Sequence, residues 1–275
     1  FTATTRQNDL DTSVTISFQP GAGNTRALGG GNSTNAATEN RQAFLTFGDK
    51  SWGSVKVGKD LGIFGSTAIL NDMTLLGVGS NGAGTNGGGT TTTLGGIGTG
   101  YLYADWIGQI AYTTPNMNGL SATVGITQPW NSIALSTAST TSSGTTDEFG
   151  FQGQVSYSWT GDFAGKVWGG FFSQEVTGIT TPTGVTADDA TAFEVGVSTT
   201  IMNVGLVAYG YSGDGVGTTG LLVDAFDANG GARESDGGYV QATYVIPMGT
   251  KLGVSYGISN LDDNAIDAGA NLVKE

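Results

Sequence analysis

Cysteine and histidine are both missing from this 275-residue chain, and proline occurs only five times. Without cysteine there is no disulfide framework, no thiol nucleophile and no thiolate metal site. Without histidine the commonest general base and metal ligand is gone as well. Charge is scarce too, at 12% of residues, about half the usual share of a soluble domain. A soluble surface normally carries more. Ten Lys and Arg stand against 23 Asp and Glu, for a net charge of −13. The basic face that nucleic acid requires is therefore lacking. No run of about 18 apolar residues occurs, so no transmembrane helix is expected. No secretory leader is visible at Phe1, which falls inside what reads as the end of a strand, FTATTRQ. An N-terminal portion is expected to be missing from this chain.

Glycine is abundant, at 48 residues, but aromatics make up an ordinary 9%, which argues against disorder throughout. Period-two segments recur from end to end. The clearest are Val14–Ile16–Phe18, Val55–Val57, Ile110–Tyr112, Leu120–Ala122–Val124–Ile126 and Val155–Tyr157–Trp159. Phe193–Val195–Val197, Val240–Ala242–Tyr244 and Leu252–Val254–Tyr256–Ile258 follow the same rule. The intervening residues are mostly small or polar, so each strand has one greasy and one wet face. A soluble sandwich puts the greasy face inside, and an outer-membrane barrel puts it against lipid.

Connection lengths separate the two. Short links (Gly48–Gly53, Thr114–Gly119, Thr160–Asp162, Thr200–Asn203, Pro247–Thr250) alternate with long ones. The long ones are Pro20–Asn40, Leu61–Tyr103, Gln128–Asp147, Val176–Asp189, Ser212–Asp236 and Asn260 onward. Strict alternation fits an up-and-down barrel of roughly a dozen visible strands. Arg41–Asp60 shows the unit in miniature: strands Ala43–Phe47 and Ser54–Gly58 about a tight polar turn. The facing of Phe44 is unsettled, because its alternation conflicts with Leu45 and Phe47. Trp106, Tyr112, Trp159, Phe163, Tyr244 and Tyr256 fall near segment ends, where an aromatic girdle belongs.

YTTPNMNGL at Tyr112–Leu120 resembles the Tyr-x-Ser-Pro-x-Phe-x-Gly-Phe signature of general Gram-negative porins, with Thr114, Met117 and Leu120 in place of Ser, Phe and Phe. NRQAFLTF with GSVKVGKD, and YVQATYVIPMGTKLGVSYG at Tyr239–Gly257, are similar to two further porin hairpins in the expected order. The resemblance implies a sixteen-stranded transmembrane antiparallel β-barrel that lacks its first and last strands here. It also implies a single barrel domain over residues 1–275, a homotrimer in contact with outer-membrane lipid and lipopolysaccharide, and a Gram-negative outer-membrane location. Leu61–Tyr103 is implied to be the constriction loop, folded into the lumen.

Permeation needs a water-filled constriction with a shaped field and no covalent chemistry. By alternation Lys56 faces the lumen, and a cation on the lipid face would cost roughly 2–4 kcal/mol. The resemblance adds Arg41 as a wall cation and Asp72 as the acidic position of the loop. It also puts Asp105 where relatives often carry arginine. Lys59 falls on the parity of Val55 and Val57, hence at a rim or interface. Lys166 and Lys251 are further lumen candidates. The pore constriction is thus expected at Arg41, Lys56, Asp72 and Asp105, and the thin set of cations against many acids gives weak cation selectivity. Ser66–Leu75 reads as one or two helical turns with Ser66 as N-cap.

Acidic pairs at Asp147–Glu148, Asp188–Asp189, Asp224–Asp227, Glu234–Asp236 and Asp262–Asp267 can solvate loops, or hold Ca²⁺ or lipopolysaccharide through divalent ions. No full EF-hand spacing occurs, and no cofactor is expected otherwise. Gly77–Gly82 fits GxGxxG, but no helix pattern follows, so it reads as a chance match. With no GxSxG elbow or catalytic constellation, an enzyme is not expected. The alternative to a channel is a secreted or surface β-sandwich, adhesin-like or lectin-like.

Overall fold

The computed structural model describes residues 1–20, 38–75, 96–132, 144, 146, 148–262 and 272–274. Its strands are β1 (Thr2–Gln7), β2 (Leu10–Ile16), β3 (Gln19–Pro20), β4 (Thr38–Glu39), β5 (Ala43–Asp49) and β6 (Gly53–Leu61). After the short helix α1 (Ser66–Asn71) come β7 (Trp106–Thr113), β8 (Leu120–Thr127), β9 (Gly150–Trp159), β10 (Phe163–Thr181) and β11 (Gly184–Ile201). The last are β12 (Val204–Asp214), β13 (Glu234–Val245), β14 (Lys251–Leu261) and β15 (Leu272–Lys274). The small β3–β4 ribbon stands apart, and the other thirteen strands form one antiparallel sheet in chain order. Turn chemistry sets this meander. Asn8 and Asp9, at φ 50° and 62°, make the two-residue reversal between β1 and β2, and short polar side chains tolerate that left-handed backbone.

The expected sixteen-stranded closed barrel is corrected by this arrangement. The sheet has thirteen strands and is not closed into a barrel: among the described residues β1 pairs only with β2, and β15 only with Ser259–Leu261 of β14. Closure needs the two edges in register with matched tilt and stagger, and here each edge keeps a row of unpaired backbone groups. Among the described residues there is also no second layer of sheet beyond the small β3–β4 ribbon, as a sandwich requires.

Register shows which face is which. One row runs Thr4–Ser13–Thr46–Lys56–Ala111–Gly125–Gln152–Phe172–Ala192 across nine strands. The adjacent row runs Val14–Leu45–Val57–Ile110–Ile126–Phe151 on the other face. In β11, Phe193 is 70% exposed, Glu194 5% and Val195 62%. Most large apolar side chains thus point outward, and the inward face is mostly polar or small apart from the apolar core where Trp168 and Phe172 meet the inserted segments, the reverse of a soluble sheet. Phe44 pairs with Gly58, two places from Thr46–Lys56, so it is inward; Leu45 and Phe47 are outward. Tyr112, Phe163 and Tyr244 are outward and exposed near strand ends, whereas Tyr256 is outward and exposed at the middle of β14. Trp106 instead packs toward the core and donates its indole N–H to the Tyr103 hydroxyl at 3.0 Å.

The core sits on the inner face of β10–β13. Phe64, Ala68, Ile69, Tyr101 and Leu102 come from the segment between β6 and β7. Val216, Leu221, Leu222, Ala225 and Phe226 come from the segment between β12 and β13, and both sets pack with Trp168, Phe172, Tyr209 and Tyr239. Each fully buried apolar side chain contributes about 1.5–3 kcal/mol. Gly196 makes room for the Trp168 ring, which lies where a Cβ would go. The expected Val176–Asp189 loop is instead strand. β10 and β11 run on to a two-residue turn at Pro182–Thr183, with one register shift between Val176 and Ile179. Buried Val176 and Ile179 at these positions supply the packing that makes it strand.

Candidate functional site

The inward face carries the site, and the described parts of the segment after β6, residues 61–75 and 96–103, lie across it. That segment is fastened strand by strand. Gln152 Oε1 on β9 accepts the backbone N–H groups of Ile63 and Phe64 at 2.8 and 2.9 Å. Gln154 Oε1 accepts the Thr67 hydroxyl at 2.8 Å. On β11, buried Glu194 accepts Gly65 N–H at 3.0 Å, the Tyr209 hydroxyl at 2.8 Å and Gln154 Nε2 at 3.2 Å. On β13, Tyr239 donates to Ala68 O at 2.7 Å, and Gln241 accepts Met73 N–H at 2.7 Å and donates to Asn71 O at 2.9 Å. Ser259 on β14 accepts Gly100 N–H at 2.8 Å. Backbone groups that a loop leaves unmet are thus satisfied by wall side chains. Helix α1 starts after Gly65, in the left-handed conformation at φ 75°, with no side-chain cap. Ser66 donates instead to Ile63 O at 2.6 Å.

The expected site residues divide into three groups. Lys56 is inward and forms an ion pair with buried Asp60, four residues on along the same strand face. Its ammonium stands 5.0 Å from the Phe44 ring centroid, and Asp60 also accepts Gln42 Nε2 at 2.9 Å. Arg41, just before β5, lies with its guanidinium carbon 5.9 Å from the Trp106 ring centroid, a cation–π contact at the long-loop end of the wall. Lys59 is also at that end and donates to Asn40 O at 3.0 Å.

Asp72 and Asp105 belong to the inserted segment. Asp72 is buried and accepts the Tyr101 hydroxyl at 2.7 Å, Thr74 N–H at 2.8 Å and the Thr74 hydroxyl at 2.7 Å. Burial, and then the Asp72 carboxylate, pushes the Tyr101 hydroxyl well above the ordinary tyrosine value. Asp105 has φ 48°. Its carboxylate accepts Trp106 N–H at 2.7 Å and its carbonyl accepts Gly62 N–H at 2.9 Å, so it ties the two roots of the insert together. Lys166 is inward between Ser158 and Ser198, toward the short-turn end. Lys251 begins β14 beside the Pro247–Thr250 turn and is exposed.

Sequence reasoning missed the wall side chains that fasten the insert: Gln152, Gln154, Glu194, Tyr239 and Gln241. The signal was available, since each is a large hydrogen-bonding residue at inward parity beside at least one outward apolar neighbour. It also missed Arg6, whose guanidinium bonds to Asp11 at 2.6 Å and Asp49 at 3.3 Å. Among the acidic loop residues, Asp227 accepts Asn229 N–H at 2.7 Å and Gly231 N–H at 2.8 Å, and Asp188 accepts Ala232 N–H at 2.8 Å. Among the described residues no three Asp or Glu stand together as a metal site. Asp147, Asp263 and Asp267 lie outside the described residues, as do Gly77–Gly82 and most of the Gly/Thr-rich tract.

Comparison with known proteins agrees with this geometry. A family model described as Gram-negative porin matches residues 2–274. The fold is similar to that of the outer membrane channel DcaP of Acinetobacter baumannii, with a TM-score of 0.59 and 15% identity over 95% of this chain and 65% of that one. It is similar to an anion-selective porin from Comamonas acidovorans (0.59, 15%, over 99% of this chain and 70% of that one). It is also similar to Salmonella typhi OmpF in complex with daunomycin (0.64, 18%, over 98% and 73%). The chain thus spans about two thirds of the length of these solved structures. No curated protein sequence matches it. An outward apolar face, a polar inward face crossed by an inserted segment, and a family match along nearly its whole length lead to one assignment: the chain belongs to the Gram-negative porin family, of the outer membrane.

Proposed function

We propose that this protein provides a water-filled passage for passive diffusion of ions and small hydrophilic solutes, with weak preference for cations. The observation that carries this reading is the fastening of residues 61–75 and 96–103 to the polar face from β9 through β14. A segment held there narrows the space beside it without blocking the whole face, which is what a selectivity constriction requires. The roles proposed for Arg41, Lys56, Asp72 and Asp105 follow from their places. Lys56 with Asp60 presents a nearly neutral pair to the passage. Arg41 and Asp105 set opposite charges at the root of the insert. Asp72 adds negative potential from beneath its surface. Lys166 and Lys251 lie further toward the short turns. With 23 acids against ten cations in the chain, the summed field favours cations.

Assembly as a homotrimer against outer-membrane lipid and lipopolysaccharide is part of the same reading. The test is single-channel recording in planar bilayers with a salt gradient. Discrete conductance steps and a reversal potential favouring the cation are expected. Absence of steps from the pure protein refutes the channel, and anion preference refutes the selectivity. A heat-modifiable, SDS-resistant trimer on gels is expected for the assembly.

A further inference from the structure

We propose that Arg6 and the carboxylates around it form a second electrostatic filter, at the short-turn end of the passage. The inference rests on the channel reading above. Arg6 is inward: it pairs in register with Asp11, two residues along the strands from Thr4–Ser13 in the Thr4–Ser13–Thr46–Lys56 row and so on the same face. Its guanidinium reaches Asp11 on β2 at 2.6 Å, Asp49 at the end of β5 at 3.3 Å and Asp9 in the turn at 3.6 Å. One cation thus bridges three successive strands of the wall. Arg6, Asp11 and Asp49 line an open cavity of about 950 Å³ together with Thr4, Ser13 and Thr46. The site is separate from the insert, whose fastenings lie on β9 through β14.

The charge arithmetic points to a cation-attracting mouth. Three carboxylates surround Arg6, and Lys50 in the lining adds the only other charge of its sign among the residues named. Arg6 both limits the negative potential and holds the carboxylates in place along the wall. A unit charge at about 10 Å in water changes local ion occupancy by roughly twofold. That influence reaches about 10 Å at 0.1 M salt and only about 3 Å at 1 M. A filter at one mouth therefore acts asymmetrically: it is felt when dilute salt bathes that mouth and is screened when concentrated salt does.

The test is the reversal potential of the protein, isolated from outer membranes, in planar bilayers under KCl gradients applied in both directions. Arg6→Gln is expected to raise the cation-over-anion permeability ratio about twofold with dilute salt on the short-turn side. The reverse gradient is expected to show little change. Arg6→Lys is expected to keep the wild-type value, and Asp11→Asn with Asp49→Asn to lower the ratio under the same gradient. If Arg6→Gln does not insert, the Asp11→Asn and Asp49→Asn channels decide alone. Unchanged potentials, or equal shifts under both gradients, overturn the inference. Wild-type channels with unmoved variants defeat only this filter, whereas a wild-type protein without conductance defeats the channel reading.

Discussion

Single side chains on the inward face do two different jobs, fastening and field-shaping, and substitution separates them. Glu194 is a fastener. Its carboxylate accepts from Gly65, Tyr209 and Gln154, all on or against the insert. Glu194→Ala leaves those donors unmet, at about 1–3 kcal/mol for a buried group. Loosening of the insert is expected, read as new protease cleavage between residues 61 and 103 and a lower unfolding temperature in detergent. Tyr101 tests the interior of the insert. Burial and then Asp72 raise its ionisation, so the folded state holds the proton longer than the unfolded chain. Its stabilisation is whole below about pH 10 and is lost as pH rises above that value. The tyrosinate absorbance of the folded protein is therefore expected to titrate identically in wild type and Tyr101→Phe up to about pH 11; a missing step in the variant refutes it. Asp72 was legible from family resemblance as the acid of the loop. Its commitment to the Tyr101 hydroxyl was not, because that partner stands 29 residues away in the chain and no local pattern encodes the meeting.

At the scale of elements, period-two alternation located nearly every strand, and the turn residues fixed the short connections. What alternation could not supply was strand length where small residues replace apolar ones. β10 and β11 continue through Thr177–Asp188, a stretch rich in Thr, Gly and Asp that reads as loop. They persist as strand because Val176 and Ile179 are buried. The Ser212–Asp236 connection was likewise read as a long loop. Its Val216, Leu221, Leu222 and Phe226 carry no strand or helix period, and only the folded chain brings them onto the core. Gly196 gives the clearest test of how close these layers are. Its missing Cβ is occupied by the Trp168 ring, so Gly196→Val forces that ring away. A loss of about 1–3 kcal/mol is expected, measured by thermal unfolding, with a shift in tryptophan emission as Trp168 leaves its stack with Tyr209.

For the whole molecule, the decisive property is which face meets lipid. Val254 and Ser255 are neighbours on β14 that point to opposite faces, Val254 69% exposed on the apolar side. Arginine at 254 is expected to impair insertion into bilayers by about 2–4 kcal/mol near the midplane. Arginine at 255 is expected to insert normally and shift selectivity toward anions. Equal insertion of both variants refutes the assignment of faces. Family, face and the rough dozen of strands were readable from the sequence, whereas the open sheet was not, because resemblance to closed barrels says nothing of whether the two edge strands described here meet. The long β10–β11 hairpin adds a matter of height. β10 has 19 residues, about 60 Å of strand at about 3.3 Å per residue, and at a tilt of about 40° it stands roughly 45 Å tall, well over the apolar band of about 25 Å. On the channel reading proposed above, the turn at Pro182–Thr183 stands clear of the headgroups like a mast, and an antibody or label approaching an intact cell is expected to meet it before the mouth of the passage.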